Sequence, residues 1–251
     1  MSHKIELVEN ALSQGRKTLS EHESKMLLGS YGIPVTRERL VRSPSELKEA
    51  VGQIGYPLVV KGCSSSLAHK TEQGLVFLDI RNDEEADAAF QNAMAKMAEP
   101  DRAVLVQEFV KGRRELVAGM TRDSQFGPCV MFGLGGIFTE ILKDVSFRVA
   151  PIQKRDALEM AGEIQGRKIL DEVRGMPAAN LENLCEILIT LGRIGLENPA
   201  VQEIDINPLV LSGADPVAVD ALVVVAPPPQ EAPSRFPPTS SPSLSGTRKV
   251  P

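Results

Sequence analysis

The fold class this sequence predicts is α+β, two α/β lobes around a cleft, and three observations predict it. Between residues 20 and 100, helix-period and strand-period segments alternate. From 102 to 150 short apolar strands follow one another across glycines, and helices return only afterwards. Beyond Ala226 aliphatic residues nearly stop, and eight of the 18 prolines fall within Pro227–Pro251 among serines. Such a stretch cannot bury enough apolar surface to order itself, so a disordered or extended tail is expected. The expected division is an N-terminal segment 1–19, a first lobe 20–101, a second lobe 102–225 and a tail 226–251. Clefts between lobes are where small ligands usually sit.

Residues 4–17 have the pattern of a short amphipathic helix. Ser20 is an N-cap with acidic residues in the first turn behind it, and the helix runs to Tyr31 before Gly32 and Pro34. Val35–Val41 reads as a strand, and Ser43 caps a helix with Pro44 at its first position. Pro57–Lys61 is a compact strand ending on a lysine, followed by the small-residue loop Gly62–Ser66. Leu75–Ile80 is a strand and Asp83–Ala98 an alanine-rich helix. Ala103–Val110 is a strong strand, and Arg114–Thr121 is expected to return as its antiparallel partner. Cys129–Phe132, Ile137–Leu142 and Ser146–Ala150 continue as strands, then Pro151–Leu170 and Asn180–Gly195 as helices. In Glu203-Ile204-Asp205-Ile206-Asn207 polar and apolar residues alternate, so the oxygens of Glu203, Asp205 and Asn207 share one face. Pro208 suits an edge or strand end. A turn at Ser212–Pro216 then leads into an apolar strand, Val217–Val225, interrupted by Asp220.

Composition narrows the function classes. Of 251 residues, 24% are charged and 42% hydrophobic, with a formal net charge of −5, which disfavours general binding to nucleic acid or anionic membranes. No apolar run approaches the roughly 20 residues of a membrane span, and the N-terminus lacks the apolar core of a signal peptide. Cys63, Cys129 and Cys185 are odd in number and far apart, as expected of free thiols in a reducing cytoplasm.

Four stretches carry chemistry. Lys61 either snorkels from its strand end or points into the cleft as a counter-charge to phosphates. The loop after it has neither GxxxxGK[ST] nor GxGxxG spacing, so the common phosphate-binding fingerprints are absent. Gln107-Glu108-Phe109 passes from strand into turn and could offer main-chain groups to a planar base, with Glu115 beyond it able to accept from ribose hydroxyls; a charged surface hairpin is the plainer alternative. Four glycines lie between Gly127 and Gly136, and Glu140, Lys143, Asp144 and Arg148 follow at once. Arg148 has the fork for a phosphate or carboxylate. Asn207 and Asp220, with Asp205 nearby, offer the oxygen ligands that a hard cation such as Mg2+ takes, unless they are only a solvated strand face.

The ordered set VVKGCSSSLAHK, VLVQEFVKGRRELVAG, FGPCVMFGLGGIFTEILKDVSFRVAPI and EIDINPLV…VAVDALV resembles the ATP-grasp subunit of ADP-forming acyl-CoA synthetases, relatives of the succinyl-CoA synthetase β subunit. The resemblance spans about residues 15–225. It implies an ATP-grasp fold closing on ATP or ADP with Mg2+: Lys61 on the phosphates, Gln107–Phe109 along the adenine, Glu115 on the ribose, Asn207 and Asp220 on the metal. The implied reaction interconverts acyl-CoA, ADP and phosphate with carboxylate, CoA and ATP through an acyl phosphate and a phosphohistidine. His69 lies in the Leu67–Thr71 stretch that in such proteins sits beside the nucleotide; it is either a phosphoryl acceptor or a hydrogen-bonding loop histidine. Lys61, His69 and Arg148 are thus the expected catalytic set. Around His69 the chain reads SSSLAHKTEQGLV, where family members read close to SPDIxHKSDxGGV. The family's CoA-binding domain and main phosphohistidine segment have no counterpart here, which implies a CoA-binding α subunit in a heteromer, for example two copies of each chain. Two other readings stand beside this one: an ATP/ADP-sensing module without turnover, and a free-standing ATP-grasp carboxylate ligase.

Overall fold

Two antiparallel sheets, each with helices on one face, form the body of the chain in a computed structural model that describes residues 3–63, 74–97, 102–136 and 144–227. The strand expected at Ile137–Leu142, His69 and most of the tail lie outside the described residues. The elements in order are α1 (His3–Ser13), α2 (Glu21–Ser30), β1 (Glu38–Val41), α3 (Pro44–Ile54), β2 (Leu58–Cys63), β3 (Val76–Ile80), α4 (Asp83–Lys96) and β4 (Ala103–Glu108). They continue as β5 (Glu115–Asp123), β6 (Gly127–Leu134), β7 (Val145–Val149), α5 (Lys154–Glu163), a 3-10 turn (Arg167–Leu170), α6 (Leu181–Glu197), β8 (Val201–Ser212), β9 (Asp215–Ala218) and β10 (Ala221–Val225).

The first sheet has the order β1-β4-β2-β3. Leu58, Val60, Val104 and Val106 point from one of its faces onto Leu47, Ala50, Ala89 and Phe90 of α3 and α4. Both helices begin on side-chain caps, Ser43 accepting from the Glu46 amide and Asn82 from the Glu85 amide. The opposite face, carrying Val59, Lys61, Leu105 and Gln107, is left for the rest of the chain, because successive residues of a strand alternate sides.

The second sheet has the order β10-β8-β5-β6-β7, with β9 beside the far half of β8. Leu116, Ala118, Phe132, Ile204 and Ile206 bury one face against α5 and α6. In α6, Leu184, Leu188, Leu191 and Ile194 recur at helical spacing and are all buried, and Asn180 caps the helix by accepting from the Asn183 amide. Among the described residues no helix is long and apolar enough to cross a membrane.

Three details differ from the sequence expectation. The division at 101/102 does not follow the sheet pairing: β4 lies between β1 and β2, whereas β5 pairs with β6 and β8. The segment between them is therefore a crossing from one sheet to the other and not a hairpin turn. Gly112 in that crossing lies where an added Cβ would stand 2.3 Å from Val210 and 2.6 Å from the Leu211 carbonyl oxygen, so only glycine lets it pass. Conversely, α1 and α2 precede the first sheet in sequence yet pack in the second core, with Val8, Ala11, Leu27 and Leu28 buried there. Finally, Pro208 lies inside β8 and not at its end: on one side it faces the break between β9 and β10, and on the other Asn207 and Pro208 together stand against Val117 of β5, a bulge of the kind where strand prolines are tolerated.

Candidate functional site

The free face of the first sheet meets the second sheet at a seam formed by the start of α2 and the break between β9 and β10. Ser20 caps α2 with a reciprocal capping box to Glu23, and Arg16 pairs with the same Glu23 at 2.7 Å. This fixes the first turn of α2 so that Glu21 and Lys25, one helical turn apart, both point inward and are buried. The break on the other side follows from pairing. β9 uses the far half of β8 and β10 the near half, and Val219-Asp220 bridges them with the Val219 amide on the Pro208 carbonyl.

Lys61 comes from β2 into this seam. Its side chain is 95% buried, and its ammonium donates to Glu21 Oε1 at 2.7 Å and to the Val219 carbonyl at 3.2 Å, with Asp220 Oδ2 at 3.6 Å. It is turned inward, toward the second sheet. Lys25 Nζ lies among Glu21 Oε1 (2.9 Å), Gln107 Oε1 (2.8 Å), Thr36 Oγ1 (3.1 Å), the Val219 carbonyl (3.3 Å) and Glu38 Oε2. Burial acts to lower the pKa of Lys25, but Glu21 and Glu38 outweigh it and hold the group above its usual value. Three carboxylates, Glu21, Glu38 and Asp220, thus face two ammonium groups. Sequence reasoning did not single out Glu21, Lys25, Glu38 or Thr36; the available signal was an acid and a base four residues apart in a capped helix, which is also an ordinary surface pattern.

On β8 the predicted alternation holds. Ile204 and Ile206 are buried, Asp205 is half-buried, and Glu203 and Asn207 are exposed. Because Ile206 pairs with Ala221 in antiparallel register, Asn207 lies level with Asp220 one step further on, and the two belong to one face of the hairpin. Asp205 has its carboxyl pushed up to about 6, by burial first and then by the negative charges of Glu203 and Asp220. Among the described residues no group of three or more His, Cys, Asp or Glu is arranged to hold a metal ion by itself.

Glu115 opens β5 and is exposed on the face of the second sheet away from the helices. Its carbonyl accepts from the Gly135 amide, and its carboxylate lies where a Cβ on Gly136 would come within 2.4 Å of Oε2. The exposed Glu115 side chain could swing away from such a Cβ, but Gly136 also has φ +62°, which is what favours glycine there. Gln107 is fully buried on the same face of its sheet as Lys61. Phe109 is half-buried and borders a concavity of ≈ 600 Å3 that Arg113, Arg174 and Met176 also line.

Two expected site residues are not brought to the seam. Arg148 points to the helix-covered face of β7, where its guanidinium donates to both Glu163 oxygens on α5 (3.0 and 2.5 Å), so it is a strand-to-helix tie and not a phosphate fork. The alternation of β7 decides this: Ser146 on the same side is bonded to the Met160 carbonyl beneath α5. The Glu108 carboxylate accepts from the Arg37 amide at 2.9 Å and Arg37 Nε at 2.7 Å, so its side chain ties β4 to the chain ahead of β1. His69 is outside the described residues.

Comparison with known proteins accounts for this arrangement. The ATP-grasp domain family matches residues 10–225. The chain is similar to the acetate–CoA ligase (ADP-forming) I subunit beta of Pyrococcus furiosus, 46% identical with 88% of this chain and 97% of that one covered. It is also 36% identical to acetate–CoA ligase (ADP-forming) I of Archaeoglobus fulgidus, covering 88% of this chain but 33% of that longer one. Among solved structures, an acetyl-coenzyme A synthetase 1 of Ca. Korarchaeum cryptofilum in complex with coenzyme A and Ca-AMPCP superposes with a TM-score of 0.85 at 40% identity, covering 88% of this chain and 99% of that one. The same protein in complex with coenzyme A and Mg-AMPPCP, with its phosphohistidine segment pointing towards the nucleotide binding site, gives 0.80 at 40% identity, covering 89% and 100%. With two sheets meeting at a buried lysine–carboxylate seam and these similarities along most of its length, the chain belongs to the ATP-grasp family, in the branch of the ADP-forming acyl-CoA ligases.

Proposed function

We propose that this chain is the nucleotide-binding subunit of an ADP-forming acid–CoA ligase. It would interconvert acyl-CoA, ADP and phosphate with carboxylate, CoA and ATP, by a phosphohistidine relay with a CoA-binding partner chain. The observation that carries the reading is the 3.6 Å approach of Lys61, from one sheet, to Asp220, from the other. A cation and a carboxylate from separate lobes are the two charges needed on opposite sides of a metal-bound polyphosphate. Glu203 and Asp220, whose charges add to burial in raising Asp205, are neighbouring carboxylates that fit a divalent cation on the same face. A hard cation that keeps water and shares its remaining positions with phosphates needs only one or two protein oxygens, so Asn207 and Asp220 would suffice. When bound, Mg2+ would supply charge neutralisation on the phosphate oxygens. Lys61 would leave Glu21 for a phosphate oxygen, Glu115 would accept from the ribose, and Gln107 and Phe109 would line the base. His69 keeps, on its motif alone, the role of a phosphoryl acceptor. The partner reading draws on the name "subunit beta" of the Pyrococcus relative and on the longer single chain of the Archaeoglobus one.

The test is ATP formation from a panel of acyl-CoAs, ADP and phosphate, with this chain reconstituted with a CoA-binding partner. The expected result is turnover that needs both chains and falls by about 100-fold or more in Asp220→Ala, the size of effect seen when one transition-state charge contact is removed. Turnover unchanged in a folded Asp220→Ala would contradict the metal role, and full activity of His69→Ala would return that residue to a structural part.

A further inference from the structure

Gln107 Nε2 is the one buried side-chain nitrogen or oxygen among the described residues that has no hydrogen-bond partner. Buried polar groups are nearly always satisfied, so such a donor asks for an explanation. Its other end is fully determined. Lys25 Nζ approaches the Gln107 amide at 2.8 Å, and an ammonium group can only donate, so the amide must turn its oxygen to Lys25 and its NH2 away. The shortest approaches to the ammonium are those of Glu38, Gln107 Oε1 (2.8 Å) and Glu21 Oε1 (2.9 Å), which match its three protons, while the Thr36 hydroxyl at 3.1 Å itself donates to Glu38 Oε2. Gln107 shares its sheet face with Lys61, the face away from the first hydrophobic core.

We propose that Lys25 is a positioning residue for the nucleotide base. By holding Gln107 Oε1 it presents Gln107 Nε2 as a fixed donor, and the ligand that satisfies it is a purine with a ring-nitrogen acceptor at that edge. This inference rests on the nucleotide reading above and adds to it a residue that touches the base only through another. A donor whose direction is set before binding selects for an acceptor without having to pay for ordering at the moment of association. A glutamine free to rotate would accept either a donor or an acceptor.

The experiment is calorimetric titration of the full-length chain with Mg-ADP, Mg-1-deaza-ADP, Mg-3-deaza-ADP and Mg-7-deaza-ADP, each analogue lacking one ring acceptor. For the wild type, one analogue is expected to bind about 10-fold or more weakly than ADP, because a buried donor is then left unpaired. In Lys25→Met that discrimination should fall several-fold, since the amide can turn over. In Gln107→Glu, where Lys25 keeps its acceptor but the free end no longer donates, it should vanish. All three deaza compounds binding the wild type as ADP does would overturn the proposal, and so would Lys25→Met that melts earlier yet discriminates as before, which is a purely structural role. Should Lys25→Met fail to fold, Lys25→Gln, which can offer the Gln107 amide either a donor or an acceptor, takes its place with the same expected fall in discrimination. No binding of ADP itself would overturn the nucleotide reading, a different outcome from ADP binding without discrimination.

Discussion

Lys61 and Arg114 are both buried cations, and they differ in what fills their donors. The Arg114 guanidinium donates to four backbone carbonyls, those of Ile169, Asp171, Pro177 and Gly213, at 2.7–3.3 Å. Those partners are neutral, fixed in the main chain, and drawn from the segment after α5 and from the β8–β9 turn. Lys61 instead shares Glu21 with a second lysine and stands 3.6 Å from a carboxylate that is 37% exposed. A cation saturated by carbonyls on its own lobe is a staple. A cation held by exchangeable carboxylates between lobes can trade one partner for a phosphate at small cost, because charge is replaced by charge.

That contrast can be broken most forcefully at Arg114. Arg114→Ala would strip a hydrogen-bond partner from four carbonyls and remove the tie across the 167–180 segment. A loss of stability of about 3–5 kcal/mol is expected, since a buried carbonyl left without a donor costs about 1–3 kcal/mol and some of the four can turn to water, read as a lower midpoint in urea. The nucleotide affinity of the molecules that remain folded should be unchanged. Lost affinity at unchanged stability would make Arg114 part of the site.

A smaller effect sharpens the electrostatic side. The folded-state pKa of Asp205 lies near 6, above the unfolded value of 3.8, so the folded chain holds this proton where the unfolded chain has given it up. Without metal, stability should therefore decline as pH rises from about 4 to 6, and the penalty is complete above that, at most about 3 kcal/mol from the size of the shift. Asp205→Asn should flatten this part of the pH–stability curve and raise the midpoint at pH 7 to 8. A curve identical to the wild type would mean that burial and the neighbouring carboxylates do not hold Asp205 above its usual range.

Smallest is the change expected at Arg148. Its pair with Glu163 is substantially exposed, with side-chain exposures of 28% and 49%, and exposed pairs contribute little. Arg148→Gln should leave ADP affinity and turnover within experimental error and lower the melting temperature only slightly. A large loss of turnover would reinstate Arg148 as a phosphate ligand.

The residues of this site divide by how far away their partners lie in sequence. The two faces of β8 were legible, because strict alternation from Glu203 to Asn207 fixes which residues share a side. Lys61 and Gln107, singled out from the motif order, share one sheet face and meet the Glu21–Lys25 cluster. Glu21 and Lys25 were not legible: their burial depends on Val219, whose carbonyl Lys25 meets across 194 positions of chain. The partners of Arg148 and of the Glu108 side chain, Glu163 and Arg37, were hidden for the same reason, since they come from other elements. Adjacent strong strands separated by a glycine look like a hairpin, and nothing local reveals that Gly112 carries the chain from one sheet to another. Local pattern sets faces and ends; which face meets which is decided by packing.

The account stands on nucleotide phosphates and metal being held jointly by Lys61 and Asp220, and a double-mutant cycle on Mg-ADP affinity measures that directly. Titrating the wild type, Lys61→Met, Asp220→Asn and the double variant should give a large loss for each single change. The double variant should lose clearly less than the two losses combined, a coupling of about 1 kcal/mol or more for residues engaging one ligand. Single variants that bind Mg-ADP as tightly as the wild type, or losses that simply add, would contradict it.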